Sequence, residues 1–147
     1  MRKNKNSKNK YILYLNASKD KELDVFLISG NKIIDKIIQA GDYKVSEYLL
    51  KLIEQILRNN KIKLTDLKAI MTITGPGPFT SLRIAVAAAN TLAYGLEIPV
   101  VGITNKQGLT NNEKLVKLGL SKLSTAKVGK YISPFYNRPP NITISKK

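Results

Sequence analysis

The tetrapeptide Gly75-Pro76-Gly77-Pro78 stops a mainly apolar run, Leu67 to Thr74, and hands the chain directly to an alanine-rich segment that reaches Gly95. Proline lacks an amide hydrogen, fixes φ and restricts the residue before it, so neither neighbouring element can continue through this turn. The run before it therefore reads as a buried strand. The segment after it, with Thr80 or Ser81 as cap and Gly95 at its end, reads as a helix to about Tyr94. Whatever the fold, it contains this rigid strand-to-helix unit.

The remaining elements arrange themselves around that unit. Ile12 to Asn16, Leu23 to Ser29 and Lys32 to Gln39 have strand character, and Gly30-Asn31 between the last two is a hairpin signal because both residues accept positive φ cheaply. Val45, Tyr48, Leu49, Leu52, Ile53, Ile56 and Leu57 recur at steps of three and four, the period of an amphipathic helix ending near Arg58-Asn59-Asn60. Ile98 to Ile103 supplies a further strand, and Asn112 to Leu123 a short amphipathic helix before an irregular tail around Pro134, Pro139 and Pro140. The order of three strands, helix, strand, helix, strand predicts an α/β fold with a five-stranded mixed sheet and two main helices.

With 147 residues the chain suits one domain with a core of its own. The expected divisions are a disordered basic arm at 1–10, a main domain at 11–103, a short segment at 104–133 and a tail at 134–147. No apolar stretch approaches the roughly 20 residues of a spanning helix. The apolar stretch after the basic arm is too short for a signal peptide and lacks a small-residue cleavage site. These observations predict a cytoplasmic chain without a membrane partner. Cysteine and histidine are both absent, which removes thiolates, imidazole bases and the commonest transition-metal ligands. No cofactor or metal is expected. Asp20, Glu22 and Asp24 are closely spaced, but beside a hairpin such a run reads as a solvated turn.

Charge is concentrated at the ends. The net value is +15; residues 1–10 carry five basic side chains and no acidic one, and residues 104–147 carry nine against Glu113 alone. Basic extensions on a nearly neutral body suit a polyanion such as RNA, held by salt-sensitive phosphate attraction. A base-composition bias toward lysine, asparagine and isoleucine accounts for the same charge, and both readings stand.

The turn itself invites a phosphate-loop reading, since free amides point outward at a helix start. It lacks the Lys-Ser/Thr pair of a Walker loop and the third glycine of the dinucleotide pattern, and its prolines remove two amides. The plain structural alternative is a stiff turn with Phe79 plugging the core and Arg83 tied to a carbonyl. The helix that follows, with Ile84, Ala85, Val86, Ala87, Ala88, Ala89, Leu92 and Ala93, is apolar nearly all round, so it must be covered on more than one side. A partner protein is one cover, and the chain after Thr104 folding back is the other.

Residues Gly75-Pro76-Gly77-Pro78-Phe79-Thr80-Ser81-Leu82-Arg83-Ile84, the Ala-rich helix, Gly95 and Ile98-Pro99-Val100-Val101-Gly102-Ile103 together resemble the TsaB (YeaZ-like) signature GPGSFTGxRIG…A…G…P…GV. The likeness extends to the first strand and to Ser46-Glu47. It returns in the tail, where Pro134, Tyr136, Arg138, Pro139 and Pro140 resemble the family's terminal Tyr-x-Arg-Pro stretch. The resemblance implies one actin-like, Hsp70-type (ASKHA, ribonuclease H-like) half, and reads 104–133 as a short remnant of a second domain. It also implies a non-catalytic subunit for making threonylcarbamoyladenosine in tRNA, supporting a TsaD-like catalytic subunit alongside a TsaE-like ATPase. The family's catalytic member uses histidines, which this chain lacks. Family pairing through the two helices implies an interface at Tyr48, Leu52, Ile56, Arg83, Ala87, Asn90 and Tyr94, and a homodimer when the partner is absent. Asn16 stands where the first strand of the family ends in aspartate, Val45 where histidine is common, Pro78 for serine and Ser81 for glycine.

Overall fold

The computed structural model of the protein describes residues 10–41 and 44–135. Its elements follow in the order β1 (Tyr11–Asn16), β2 (Glu22–Ser29), β3 (Lys32–Ala40), α1 (Val45–Asn59), β4 (Leu67–Gly75), α2 (Phe79–Leu96), β5 (Val100–Thr104) and α3 (Asn112–Leu123), with a single 3-10 turn at Leu64–Asp66 before β4. The sheet order is β3-β2-β1-β4-β5. β1, β2 and β3 pair antiparallel, whereas β4 and β5 join β1 in parallel. This is a mixed five-stranded α/β sheet, as the element order predicts. Of the predicted basic arm only Lys10 is described, its amide donating to the Asp66 carbonyl at 3.0 Å. The tail residues Tyr136, Arg138, Pro139 and Pro140 lie outside the described residues.

The middle strand explains the layering. Ile12, Leu13, Tyr14 and Leu15 of β1 are all completely buried, so helices must cover both faces of the sheet. On one face Leu13 and Leu15 pack with Leu49, Ile53 and Ile56 of α1 and Ala85, Ala89 and Ala93 of α2. On the other, Ile12 and Tyr14 pack with Met71, Ile103 and Leu115 and Val116 of α3. α3 lies close because Gly119 has no side chain: a Cβ there would stand 2.6 Å from Met71 Sδ and 2.7 Å from Ile103 Cδ1.

Several element ends differ from the sequence expectation by a residue, and those of α2 and β5 differ by more than the others or for a visible reason. α2 begins at Phe79 rather than being capped by Thr80 or Ser81, because Pro78 closes the first turn by accepting from the Leu82 amide at 3.0 Å. It also runs through Gly95 to Leu96, and Glu97 takes the left-handed position with φ 57°. β5 starts at Val100, after Pro99 has accepted a bond from the Ile70 amide.

The segment after α3 settles how α2 is covered. It leaves the α3 face, passes edge strand β5, and lies against α2 on the opposite face. Asn90 clasps it twice, its Nδ2 donating to the Ile132 carbonyl at 2.8 Å and its Oδ1 accepting from the Ile132 amide at 3.1 Å. The Phe135 amide donates to Thr74 O at 2.9 Å, and the Tyr131 ring lies 6.4 Å from that of Tyr94. With α1 and the sheet on its other sides, α2 keeps a narrow exposed stripe: Phe79, Thr80, Arg83, Ala87, Thr91, Tyr94 and Gly95. Most of its apolar surface is thus covered by this chain itself.

Asn90→Ala removes both clasp bonds and should lower stability by about 1–2 kcal/mol. Hydrogen exchange at the Ile132 amide should accelerate while core amides of β1 keep their relative order; unchanged Ile132 protection would show that Asn90 does not hold the segment.

Candidate functional site

The Gly75-Pro76-Gly77-Pro78 loop is the meeting point of three chain segments. A Cβ on Gly77 would lie 2.5 Å from the Ser18 carbonyl oxygen and 2.8 Å from Ser18 Cα, so only glycine lets the β1–β2 turn come this near. Gly75, at φ +146°, faces the Phe135 carbonyl, 2.9 Å from where a Cβ would stand. Below the loop, Thr74 and Thr104 join the ends of β4 and β5 through their hydroxyls at 2.9 Å. Phe79 does not plug the core as the sequence suggested: it is 49% exposed, with the Arg83 guanidinium 4.9 Å above its ring rather than on a carbonyl. The reason is the earlier helix start, which turns Phe79 outward at the first helical position.

Beneath the β1–β2 turn lies a polar cluster that the sequence did not disclose. Asp24, expected on a solvated turn, is completely buried. Its Oδ2 accepts from Asn112 Nδ2 at 2.7 Å and sits 3.1 Å from Lys19 Nζ, which also reaches Glu22 Oε2 at 3.1 Å. Tyr14 donates its hydroxyl to Asn112 Oδ1 at 2.6 Å, and Asn16 Nδ2 donates to the same oxygen at 2.9 Å. Asn16 Oδ1 accepts from Ser18 N at 2.9 Å and Ser18 Oγ at 2.5 Å. Burial, and secondly the charge of Asp24, push the Tyr14 hydroxyl above its ordinary value, keeping it a donor. Burial first, and then hydrogen bonding to Glu22, push the Asp24 carboxyl up to about 6. Asp24 Oδ1 has no hydrogen-bond partner among the described residues.

A metal ion does not fit this cluster. Lys19 already sets an ammonium against both carboxylates, and the Asn16 amide oxygen is occupied by Ser18. Among the described residues no group of three or more His, Cys, Asp or Glu side chains could hold a metal. The cluster instead fastens the first turn of α3 to β1 and β2.

The residues expected at a partner interface do not form one surface. Leu52 and Ile56 are buried in the core beneath α1. Tyr48 is half-buried with Lys51 Nζ 5.5 Å from its ring centre, and Asn90 is engaged by Ile132. Arg83, Ala87 and Tyr94 are exposed along α2, Tyr94 by 72%. The structure adds an apolar groove of about 650 Å³ lined by Leu50, Ile53, Leu57, Ile62, Leu64 and Leu92, with Glu54, Arg58, Lys61 and Lys63 beside them. Leu50 is 62% exposed. Its signal in the sequence is that it falls off the three-and-four stripe of α1, an apolar residue on the polar face.

Fold and loop together define a class, a half of actin-like architecture whose glycine-proline turn packs against the end of β1. A family model described as TsaD, tRNA N6-adenosine threonylcarbamoyltransferase, matches residues 40–123. The TsaB threonylcarbamoyladenosine biosynthesis protein of Buchnera aphidicola (Baizongia pistaciae) is 36% identical over 76 residues, 48% of this chain and 34% of that protein. The tRNA N6-adenosine threonylcarbamoyltransferase of Wigglesworthia glossinidia brevipalpis is 37% identical over 86 residues, covering 56% and 25%. YeaZ from Pseudomonas aeruginosa superposes with a TM-score of 0.60 at 25% identity, over 65% of this chain and 44% of that one. The chain belongs to the TsaD family and is similar to its TsaB and YeaZ members. It matches between 24% and 50% of the length of the curated relatives.

Between about pH 4 and 6 the folded chain retains the Asp24 proton that an unfolded chain, with an ordinary value of 3.8, has released. Stability should therefore fall as pH rises through this window. Glu22 is shifted below 4.5, chiefly by its hydrogen bond with Asp24, so its contribution has the opposite sign and fades only as pH drops lower. Asp24→Asn should flatten the limb between pH 4 and 6 in urea unfolding; an unaltered slope there would exclude Asp24 as its source. Gly77→Ala should lower the urea midpoint by the equivalent of about 1–3 kcal/mol through overpacking against Ser18, with the transition slope unchanged.

Proposed function

We propose that this chain is a non-catalytic partner subunit in the cytoplasmic synthesis of threonylcarbamoyladenosine in tRNA, binding and activating a TsaD-like catalytic subunit. The observation that carries the reading is the apolar groove between α1, the α1–β4 connection and Leu92 of α2, which leaves leucines on a surface otherwise rich in charge. Contiguous exposed apolar surface of this kind marks a docking site. Leu50 and Leu64 are its anchors, and the α2 stripe of Arg83, Ala87 and Tyr94 extends the surface toward the Gly75–Pro78 loop. The names of the relatives supply the process. The absence of histidine and cysteine from the whole sequence supports a subunit that assists chemistry performed elsewhere. A TsaE-like ATPase is the third member of the proposed assembly. With no TsaD-like subunit present, the same groove serves to pair two copies of this chain.

The test is co-purification with the TsaD-like protein of the same organism. The unmodified chain should form a complex of defined mass, and Leu50→Asp should weaken it at least tenfold, since a buried unpaired carboxylate replaces an apolar anchor. Failure to form a complex, together with unchanged threonylcarbamoyladenosine in tRNA after loss of the gene, would overturn the proposal.

A further inference from the structure

The two helical faces of the sheet carry their charge differently. On α1, outward residues alternate in sign as Glu47, Lys51, Glu54 and Arg58, and Arg58 is paired with Glu54 at 2.7 Å. Such a face is balanced within itself. On the opposite side, α3 presents Lys114, Lys117 and Lys122, and the segments that flank it carry Lys106, Lys127 and Lys130, all exposed, against the single acid Glu113. Glu113 sits in the first turn of α3, where its charge is complemented by the free amides of the helix start. Lys122 reaches the Gly102 carbonyl at 3.2 Å, and none of the other five is ion-paired among the described residues.

We infer that α3 and the segment following it form a landing surface for the phosphate backbone of RNA, separate from the groove on the α1 side. α3, at 12 residues, is about 18 Å long. An RNA strand carries several phosphates over that distance, so successive lysines meet successive phosphates. Exposed Ser121, Ser124 and Thr125 stand among them as neutral donors to phosphate or sugar oxygens. An acidic protein would have to balance the same charge while burying an apolar centre, and this stretch offers only the isolated Leu118 and Val128. The lysines are point charges that hold RNA without base reading, and Tyr131, which follows Lys130, lies against Tyr94 rather than among them. The inference goes beyond the partner-binding reading and does not depend on it.

The test uses the full chain and unfractionated tRNA, with the dissociation constant measured across a series of salt concentrations. Lys114→Gln/Lys117→Gln/Lys127→Gln should weaken binding at low salt by about tenfold or more and reduce the log–log salt slope by about 2–3. Lys51→Gln/Lys61→Gln/Lys63→Gln, removing equal charge from the α1 side, should leave the slope as it was. Equal losses from both sets would mean binding by overall charge and would overturn the inference, as would no loss from the α3 set. Polyglutamate that displaces tRNA at equal charge concentration would also overturn it, in favour of an acidic protein partner. Retained co-purification with the TsaD-like subunit by the α3 variant separates this outcome from failure of the groove reading.

Discussion

Ile12, Leu13, Tyr14 and Leu15 are sealed on both sides of the sheet, so the chain has to provide one helical layer above β1 and another below it. A parallel-paired central strand has no solvent face to give away. α1 and α2 form the first layer from the period of their leucines, isoleucines and alanines. The second layer depends on α3 alone, a 12-residue helix with three buried residues, Leu115, Val116 and Gly119. So small an apolar contact would hold α3 weakly. The Asp24–Asn112–Tyr14–Asn16 cluster compensates by fixing its first turn through charge-assisted and neutral hydrogen bonds shielded from water.

That arrangement gives the glycines of the signature loop a structural meaning. The β1–β2 turn must curl over Asn16 so that Ser18 can satisfy its amide oxygen, and this brings the Ser18 backbone against Gly77. On the loop's other flank, Gly75 makes room for the carbonyl of Phe135. The loop is therefore a joint between segments rather than a cradle for phosphate. Its prolines are consistent with that role, since they remove amides that an anion would need and hold the shape into which Ser18 packs.

Much of this architecture was legible in the residues. The stop at Gly75-Pro76, the Gly30-Asn31 hairpin and the step pattern of α1 are local signals, and they placed strands and helices within a few residues. What escaped were features decided by distant partners. Asp24 looked like part of a solvated acidic turn because the residue that buries it, Asn112, lies 88 positions away. The segment around Ile132 has no period of its own, and its place against α2 comes from Asn90, 42 positions earlier. Leu52 and Ile56 were expected at an interface by their spacing, yet the same spacing serves a core position. Only the direction of the sheet distinguishes the two.

The covering of α2 also relocates the argument for a partner. An alanine-rich helix apolar on all sides was the natural reason to require a second protein, but the segment 131–135 and α1 remove most of that need. What remains uncovered is a different and smaller surface, with Leu50, Leu64 and the edge of Leu92 lying where α1 turns toward β4. Leu50 cannot be turned inward by a small shift of the helix, because Leu49 and Leu52 on either side already occupy the core, and rotating α1 to bury it would expose them. Its exposure is thus imposed by the period of the helix. A leucine held on the surface in this way favours an occupant with an apolar anchor; Arg58 beside it is already paired with Glu54, which leaves Lys61 and Lys63 as the cations a neighbouring carboxylate would meet. The α3 side carries lysines that no neighbouring acid balances, with only the isolated Leu118 and Val128 as large exposed apolar residues between 106 and 130, so it offers charge without an apolar anchor and the two faces are built for different kinds of contact.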